Sequence, residues 1–152
     1  MAKVTIFIIN FFLLSKILCA NVFAGPTFVD EYSVASDEAS ATGLAFNNDG
    51  TKMYVTGIGS DEILQYTLSV AYDVTSTVTL ESSRDIKNVD NRPQDIKFNS
   101  DGTVIFVLGT EDNAIHRWSL STAYDISSIT QATIVADSAS TSVGGDPRGL
   151  DF

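Results

Sequence analysis

The chain has one cysteine, Cys19, one histidine, His116, and nine basic residues against 19 acidic ones. Each scarcity excludes something. With no second cysteine there is no internal disulfide, so the fold must be held by its core or by neighbouring repeats. Nucleic acid is not expected as a partner, because the basic patch that binds phosphates is missing. A lone histidine with no cysteine beside it offers too few ligands for a zinc site. No stretch carries the apolar stripe of an amphipathic helix. The one long apolar run, Val4 to Leu14, spans 11 residues with Asn10 inside it; a membrane-crossing helix needs about 20.

That run belongs to an N-terminal pattern. MAKVTIFIINFFLLSKILCANVFA opens with Lys3, continues apolar, and closes on small residues at Val22 and Ala24. Residues 1–24 are expected to be a secretory signal peptide cleaved after Ala24. A retained anchor is the rival, but Lys16 and Asn10 break it. A lipoprotein signal using Cys19 is a second rival, but bulky Leu18 sits where a small residue is wanted. Cleavage leaves 128 residues without cysteine, carrying seven basic against 19 acidic side chains, a net −12. The product is expected to be secreted, periplasmic or on the cell surface, with no membrane span. The acidity favours solubility and is compatible with cation binding, but is silent on fold.

What the chain has instead is repetition. FNNDGTKMYVTG (46–57) returns as FNSDGTVIFVLG (98–109), and ILQYTLSVAYDVTS (63–76) as IHRWSLSTAYDISS (115–128), all at an offset of 52 residues without a gap. Between Gly43–Ser76 and Asp95–Ser128, 14 of 34 positions are identical, and most others are like-for-like, such as Tyr54 with Phe106 and Tyr66 with Trp118. An internal repeat settles the architecture before any other feature.

Inside one repeat the segments are short and turn-rich. TGLAF (42–46) ends at NNDG, where Asp49-Gly50, like Asp101-Gly102 later, makes a hairpin turn because glycine takes positive φ without cost. KMYVTG and VIFVLG have apolar residues on both parities, the pattern of a strand covered on both faces. ILQYTLS and IHRWSLS follow as third strands, and STVTLES (76–82) and SSITQATIV (127–135) as fourth. AYDVTS and AYDISS are candidates for a single helical turn. Each repeat is thus about four antiparallel strands whose sheet needs cover on both sides, and sheets stack face to face ~10 Å apart. Radial stacking of such units is a β-propeller; a two-sheet sandwich and a linear β-solenoid are the alternatives.

The fold class expected is all-β: four-stranded antiparallel blades of a β-propeller, in an incomplete ring. After the signal peptide come an N-terminal segment (25–40) whose TFVDEYSVAS (27–36) could be a ring-closing strand, blade repeat 1 (41–90), blade repeat 2 (91–144), and the start of a third, truncated repeat (145–152). The last is marked by GDPRGLDF, which sets Pro147 against Pro93 of NRPQDIKF; proline is tolerated where a strand begins.

GLAFNNDGTKMYVTG and DIKFNSDGTVIFVLG resemble the strand–turn–strand of bacterial YVTN-type and lactonase-like β-propellers, over roughly residues 41–152. Their tails look like repeats of secreted and phage-associated proteins of marine bacteria. The resemblance implies the blade fold. The repeat is longer than a WD40 blade of about 40–45 residues and has neither the Trp-Asp nor the Gly-His signature. Enzymes of the wider group bring acidic and Asn metal ligands or a basic residue into the channel; none can be matched here by position, so no catalytic residue and no cofactor is carried over.

Candidate sites are few. His116 stands where the first repeat has Leu64, so it is better explained as a packed, hydrogen-bonded side chain than as a catalyst. No Gly-x-Ser-x-Gly elbow is present. Asp49, Asp101, Asp61 and Asp112, with Asn47, Asn48, Asn99, Glu62 and Glu111 nearby, are weak candidates for Ca²⁺, which takes six to eight oxygens. Their spacing is not that of an EF-hand, and turn chemistry plus a solvated rim explains them more simply. Tyr66, Trp118, Tyr72-Asp73 and Tyr124-Asp125 are expected to be structural. The expected function is a binding or scaffold module for an extracellular protein, glycan or surface ligand, partnered by further blades of the same chain. The alternatives are part of a lactonase-like hydrolase and a surface adhesin array, since fold alone does not choose function.

Overall fold

In the computed structural model, residues 29–137 and 147–151 are described, with residues 131–137 as backbone alone. The expected signal peptide lies outside the described residues. Eight strands form two sheets, each an antiparallel meander of four consecutive strands. β1 (Ala41–Phe46), β2 (Lys52–Gly57), β3 (Glu62–Leu68) and β4 (Val78–Asp85) make the first sheet. β5 (Pro93–Phe98), β6 (Val104–Gly109), β7 (Ala114–Leu120) and β8 (Ile129–Asp137) make the second. Apart from one 3₁₀ turn at Ile126–Ser128, the described residues contain no helix, and so none able to cross a membrane.

Both units fold by the same local chemistry. The β1–β2 hairpin turns at Gly50, whose φ is +72°, and the β5–β6 hairpin at Gly102, also +72°. The Asp49 carboxylate accepts hydrogen bonds from the N–H and hydroxyl of Thr51, and Asp101 does the same with Thr103. Asn47 Oδ1 then takes the Lys52 N–H at 2.9 Å, and Asn99 Oδ1 the Val104 N–H at 2.9 Å. Tyr72 and Tyr124, themselves at positive φ, lie over the turn glycines so closely that a Cβ on either glycine would run into the ring. The recurring Tyr-Asp pair is thereby explained: the tyrosine roofs the hairpin, and the aspartate caps the next turn, Asp73 through Thr75 and Asp125 through Ser127.

Strand alternation gives each sheet two faces. Tyr54, Thr56, Ile63 and Gln65 of the first sheet point toward the second, where Tyr54 and Ile63 join one core with Ile96, Ile105, Val107, Trp118, Leu120 and Ile126. Met53, Val55, Leu64, Tyr66 and Leu68 form a second core on the opposite face of the first sheet. The inner strands of that sheet are therefore buried on both sides, as their continuous apolar runs require. The first strands of the two sheets touch, and Gly43 is what lets them: a Cβ there would stand 2.7 Å from Asp95 Cα. One residue earlier the β1–β2 register slips past Thr42, which donates its hydroxyl across to the Pro93 carbonyl at 2.7 Å. The β5–β6 register slips at the matching place, past Gln94.

Three details depart from the sequence-based expectation. Residues 29–36 of the suggested ring-closing strand form no strand; 27 and 28 lie outside the described residues. Residues 31–37 run to a turn and lie against the second core instead, with Tyr32 edge-on to the Tyr66 ring and the Tyr66 hydroxyl donating to Asp37 Oδ2 at 2.9 Å. The fourth strands run Val78–Asp85 and Ile129–Asp137 rather than 76–82 and 127–135, because Ser69 with Thr77, and Ser121 with Ser128, close the preceding turns. The single helical turn forms in the second unit only, at Ile126–Ser128, where the Ile126 N–H meets an acceptor from the first sheet.

Candidate functional site

The interface between the sheets carries directional contacts as well as its apolar core, two of them on the Tyr54–Gln65 face besides those of Thr42 and Asn48 at its edges. The Tyr54 hydroxyl donates to the Tyr124 carbonyl at 2.6 Å. Burial pushes that hydroxyl well above the usual tyrosine range, so it stays a donor at any ordinary pH. Gln65, 1% exposed, accepts the Ile126 N–H on Oε1 at 2.9 Å and donates through Nε2 to Glu81 at 2.7 Å. Glu81 also takes Lys52 at 3.3 Å. A buried amide with both ends satisfied fixes the position of the second sheet's turn against the first.

Each unit also holds a buried carboxylate just before its first strand. Glu38, 2% exposed, accepts on Oε1 from the N–H groups of Ser40 (2.7 Å) and Gly59 (2.9 Å). Its Oε2 accepts from Ser60 N–H (3.0 Å) and hydroxyl (2.7 Å). Asp90, 2% exposed, occupies the equivalent place and accepts from Arg92 N–H at 2.7 Å and from His116 Nε2 at 3.3 Å. Burial works to raise both acids, and the converging donors overcome it, so both carboxyls sit below the usual range: Ser60, Ser40 and Gly59 around Glu38, and His116 and the Arg92 N–H around Asp90. A Cβ on Gly57 or Gly109 would run into these carboxyl groups, which explains a glycine at the end of β2 and of β6. The two units solve one problem differently. Glu38 takes the Gly59 and Ser60 donors of the β2–β3 turn beside Leu64; the shorter Asp90, helped by the Asp112 N–H of its own turn, also bonds to His116 at the leucine position.

An aspartate–histidine pair can serve as a general base, but this one is sealed. His116 is 1% exposed and packs with its ring centre 5.9 Å from Trp118. Pairing with the carboxylate makes Nε2 the donor, which leaves Nδ1 buried with no hydrogen-bond partner among the described residues. Proton transfer to a substrate needs an approach path, and 1% exposure provides none. Tyr66 and Trp118 likewise lie within the cores.

The four acids considered for calcium do not converge. Asp49 and Asp101 are engaged in their own turns at one end of the sheets, where Asn48 Nδ2 bridges to the Ser100 carbonyl at 2.7 Å. Hydrogen bonds from the Thr51 and Thr103 hydroxyls lower both carboxyls. Asp61 and Asp112 lie in the β2–β3 and β6–β7 turns. Among the described residues no three His, Cys, Asp or Glu side chains are grouped so as to hold a metal.

Two grooves open on the sheets. One, about 340 Å³, lies on the front of the first sheet against Tyr32, Val34, Leu44, Met53, Val55 and Val74. The other, about 810 Å³, reaches the outer face of the second sheet, where Lys97, Phe106, Ile115 and Leu150 line it. Comparison with models of known protein families and with curated proteins finds no match.

Gln65, Glu38 and Asp90 were invisible to motif reasoning. Glu38 and Asp90 precede the window in which the repeats align, and differ in type, so only their shared offset of 52 residues could have flagged them. Gln65 stands opposite Arg117 in the repeat, a polar-for-polar swap that looks like a solvated position until the second sheet covers it.

Proposed function

We propose that this chain is part of an exported β-propeller of the YVTN-like and lactonase-like type, acting as a binding or scaffold module for an extracellular protein, glycan or surface ligand. The observation that carries it is the way the two sheets meet. The face Tyr54–Ile63–Gln65 of one unit takes the turn and inner face of the next. Grooves offset by one unit lie at the front of the first sheet, beside the Tyr32–Asp37 stretch, and at the outer face of the second. An arrangement that repeats face to turn can add units indefinitely or around a ring. The stretch Pro147–Asp151 supports the stacking: the Leu150 N–H bonds Asp95 Oδ2 at 2.7 Å, which sets it against β5. Export rests on the signal-like residues 1–24. Binding is favoured over catalysis because the one histidine–carboxylate pair is buried beneath a sheet.

The test exposes the purified protein to arrays of extracellular polysaccharides and surface proteins, alongside a panel of lactones and esters. Saturable binding without turnover, retained in His116→Leu, is the expected result. Turnover abolished by chelator would replace this function with a hydrolase.

A further inference from the structure

The surfaces of the two units that face onward in the stack are not chemically equivalent, and the difference says what can sit on the second. In the first unit the onward face offers Tyr54 as a donor and Gln65 as an acceptor, matched to a carbonyl and an N–H of the neighbouring turn, Tyr124 and Ile126. At the corresponding positions the second unit has Phe106 and Arg117. Phenylalanine has no hydroxyl to donate, and a guanidinium has five donors and no acceptor. A turn like that of the first unit would present the Tyr72 carbonyl and the Val74 N–H. Its N–H would meet another donor, and its carbonyl would face Phe106, which cannot donate as Tyr54 does. Arg117 is half-buried on this face, and its Nη1 donates to the Ser119 hydroxyl at 3.3 Å. Lys97 shares the face, so the surface is apolar at Phe106 and Ile115 and cationic around them.

We infer that the outer face of the second sheet is an interface for a further four-stranded unit that presents a carboxylate or carbonyl oxygen opposite Arg117, and that it rejects a unit carrying the first unit's turn. The inference rests on the proposed blade stacking and adds a rule of order to it. Its occupant follows from continuity with the interface already formed. The Leu150 N–H already bonds Asp95 Oδ2 at the edge of this face, and Leu150 lines one groove with Phe106 and Ile115, so a unit placed there continues the stack that Tyr54 and Gln65 begin. Two hydrogen bonds decide neighbour identity where the apolar contacts alone would accept any unit of the repeat, including a second copy of this chain. Such a polar mismatch is a common way of excluding a wrong partner.

The test is sedimentation equilibrium on the full chain. F106Y/R117Q rebuilds the Tyr54–Gln65 chemistry on the outer face, matching it to the front of another copy. Head-to-tail association should tighten by roughly tenfold over the parent, the worth of one to two neutral hydrogen bonds. Equal or weaker association overturns the acceptor rule and leaves the stacking intact. Adding Leu44→Arg on the front face should abolish the gain; a gain that survives it means association through another surface and sinks the stacking itself. A second readout keeps the rule testable without association. Y54F/Q65R places the outer-face chemistry at the internal interface, and hydrogen exchange at the Ile126 amide should accelerate at least tenfold. Unchanged protection there also overturns the rule.

Discussion

Asp90 and His116 can be exchanged for the solution the first unit uses, and the energetics of that exchange can be worked out in advance. Asp90→Ala removes the acceptor for the Arg92 N–H and for His116 Nε2, both next to a carboxylate that is 2% exposed. Each buried donor left without its acceptor costs about 1–3 kcal/mol. The two together are a large share of the ~5–15 kcal/mol that holds a domain together. For a chain of this size it amounts to a fall in Tm of roughly 10–20 °C. His116→Leu is milder, because Asp90 keeps its backbone donor; it should cost about 1–2 kcal/mol. Asp90→Glu alone crowds the extra methylene against the imidazole and should cost about 1–3 kcal/mol. Together, D90E/H116L reproduces the Glu38–Leu64 arrangement, in which the longer carboxylate meets the turn and leucine fills the space. The double variant should unfold within about 1 kcal/mol of the parent, so the two substitutions couple by about 1 kcal/mol or more. Urea unfolding of the four proteins, followed by tryptophan fluorescence at Trp118, completes the cycle. Additive costs would refute the claim that the two carboxylates perform the same task.

Three further outcomes follow from the geometry. Gly50→Val or Gly102→Val should destabilise by about 1–3 kcal/mol, since a β-branched residue is forced to φ +72° and its Cβ into the Tyr72 or Tyr124 ring; a melting curve identical to the parent's would show that the turn is of another kind. Glu38 and Asp90 both have folded-state values depressed below the ordinary carboxylate range, so their contribution is fully present above the unfolded values near pH 4 and is lost as pH falls through the lower folded values. Stability measured from pH 7 to pH 2 should hold down to about pH 4.5 and then decline, with a shallower decline in Glu38→Gln; the same slope in that variant contradicts the assignment. Finally, because Asp49, Asp101, Asp61 and Asp112 do not come together, the Tm in millimolar Ca²⁺ and in EDTA should agree within about 1 °C, whereas ligand held by the native state alone at 100 times its Kd would add about 2.7 kcal/mol.

The strand plan was legible in the sequence because its causes are local. Asp-Gly between apolar runs makes a hairpin wherever it occurs, and KMYVTG and VIFVLG are β2 and β6 to the residue. Two copies of one phrase must fold alike, so eight strands in two four-stranded sheets followed from the repeat. The apolar residues on both parities of β2 and β3 announced that the first sheet is covered twice. What the residues could not announce is which side each polar group meets. Glu38 and Asp90 read as solvated acids until the turn beyond β2, or His116 of β7, folds back and supplies donors from more than 20 residues away. Gln65 and Arg117 look interchangeable along the chain. They differ only once the Ile126 N–H, 61 residues distant, arrives at one of them. Burial and hydrogen-bond partnership are properties of the assembled sheets. A repeat specifies the unit and the direction in which units stack, while the free energy of each polar group is decided by what packing brings opposite it.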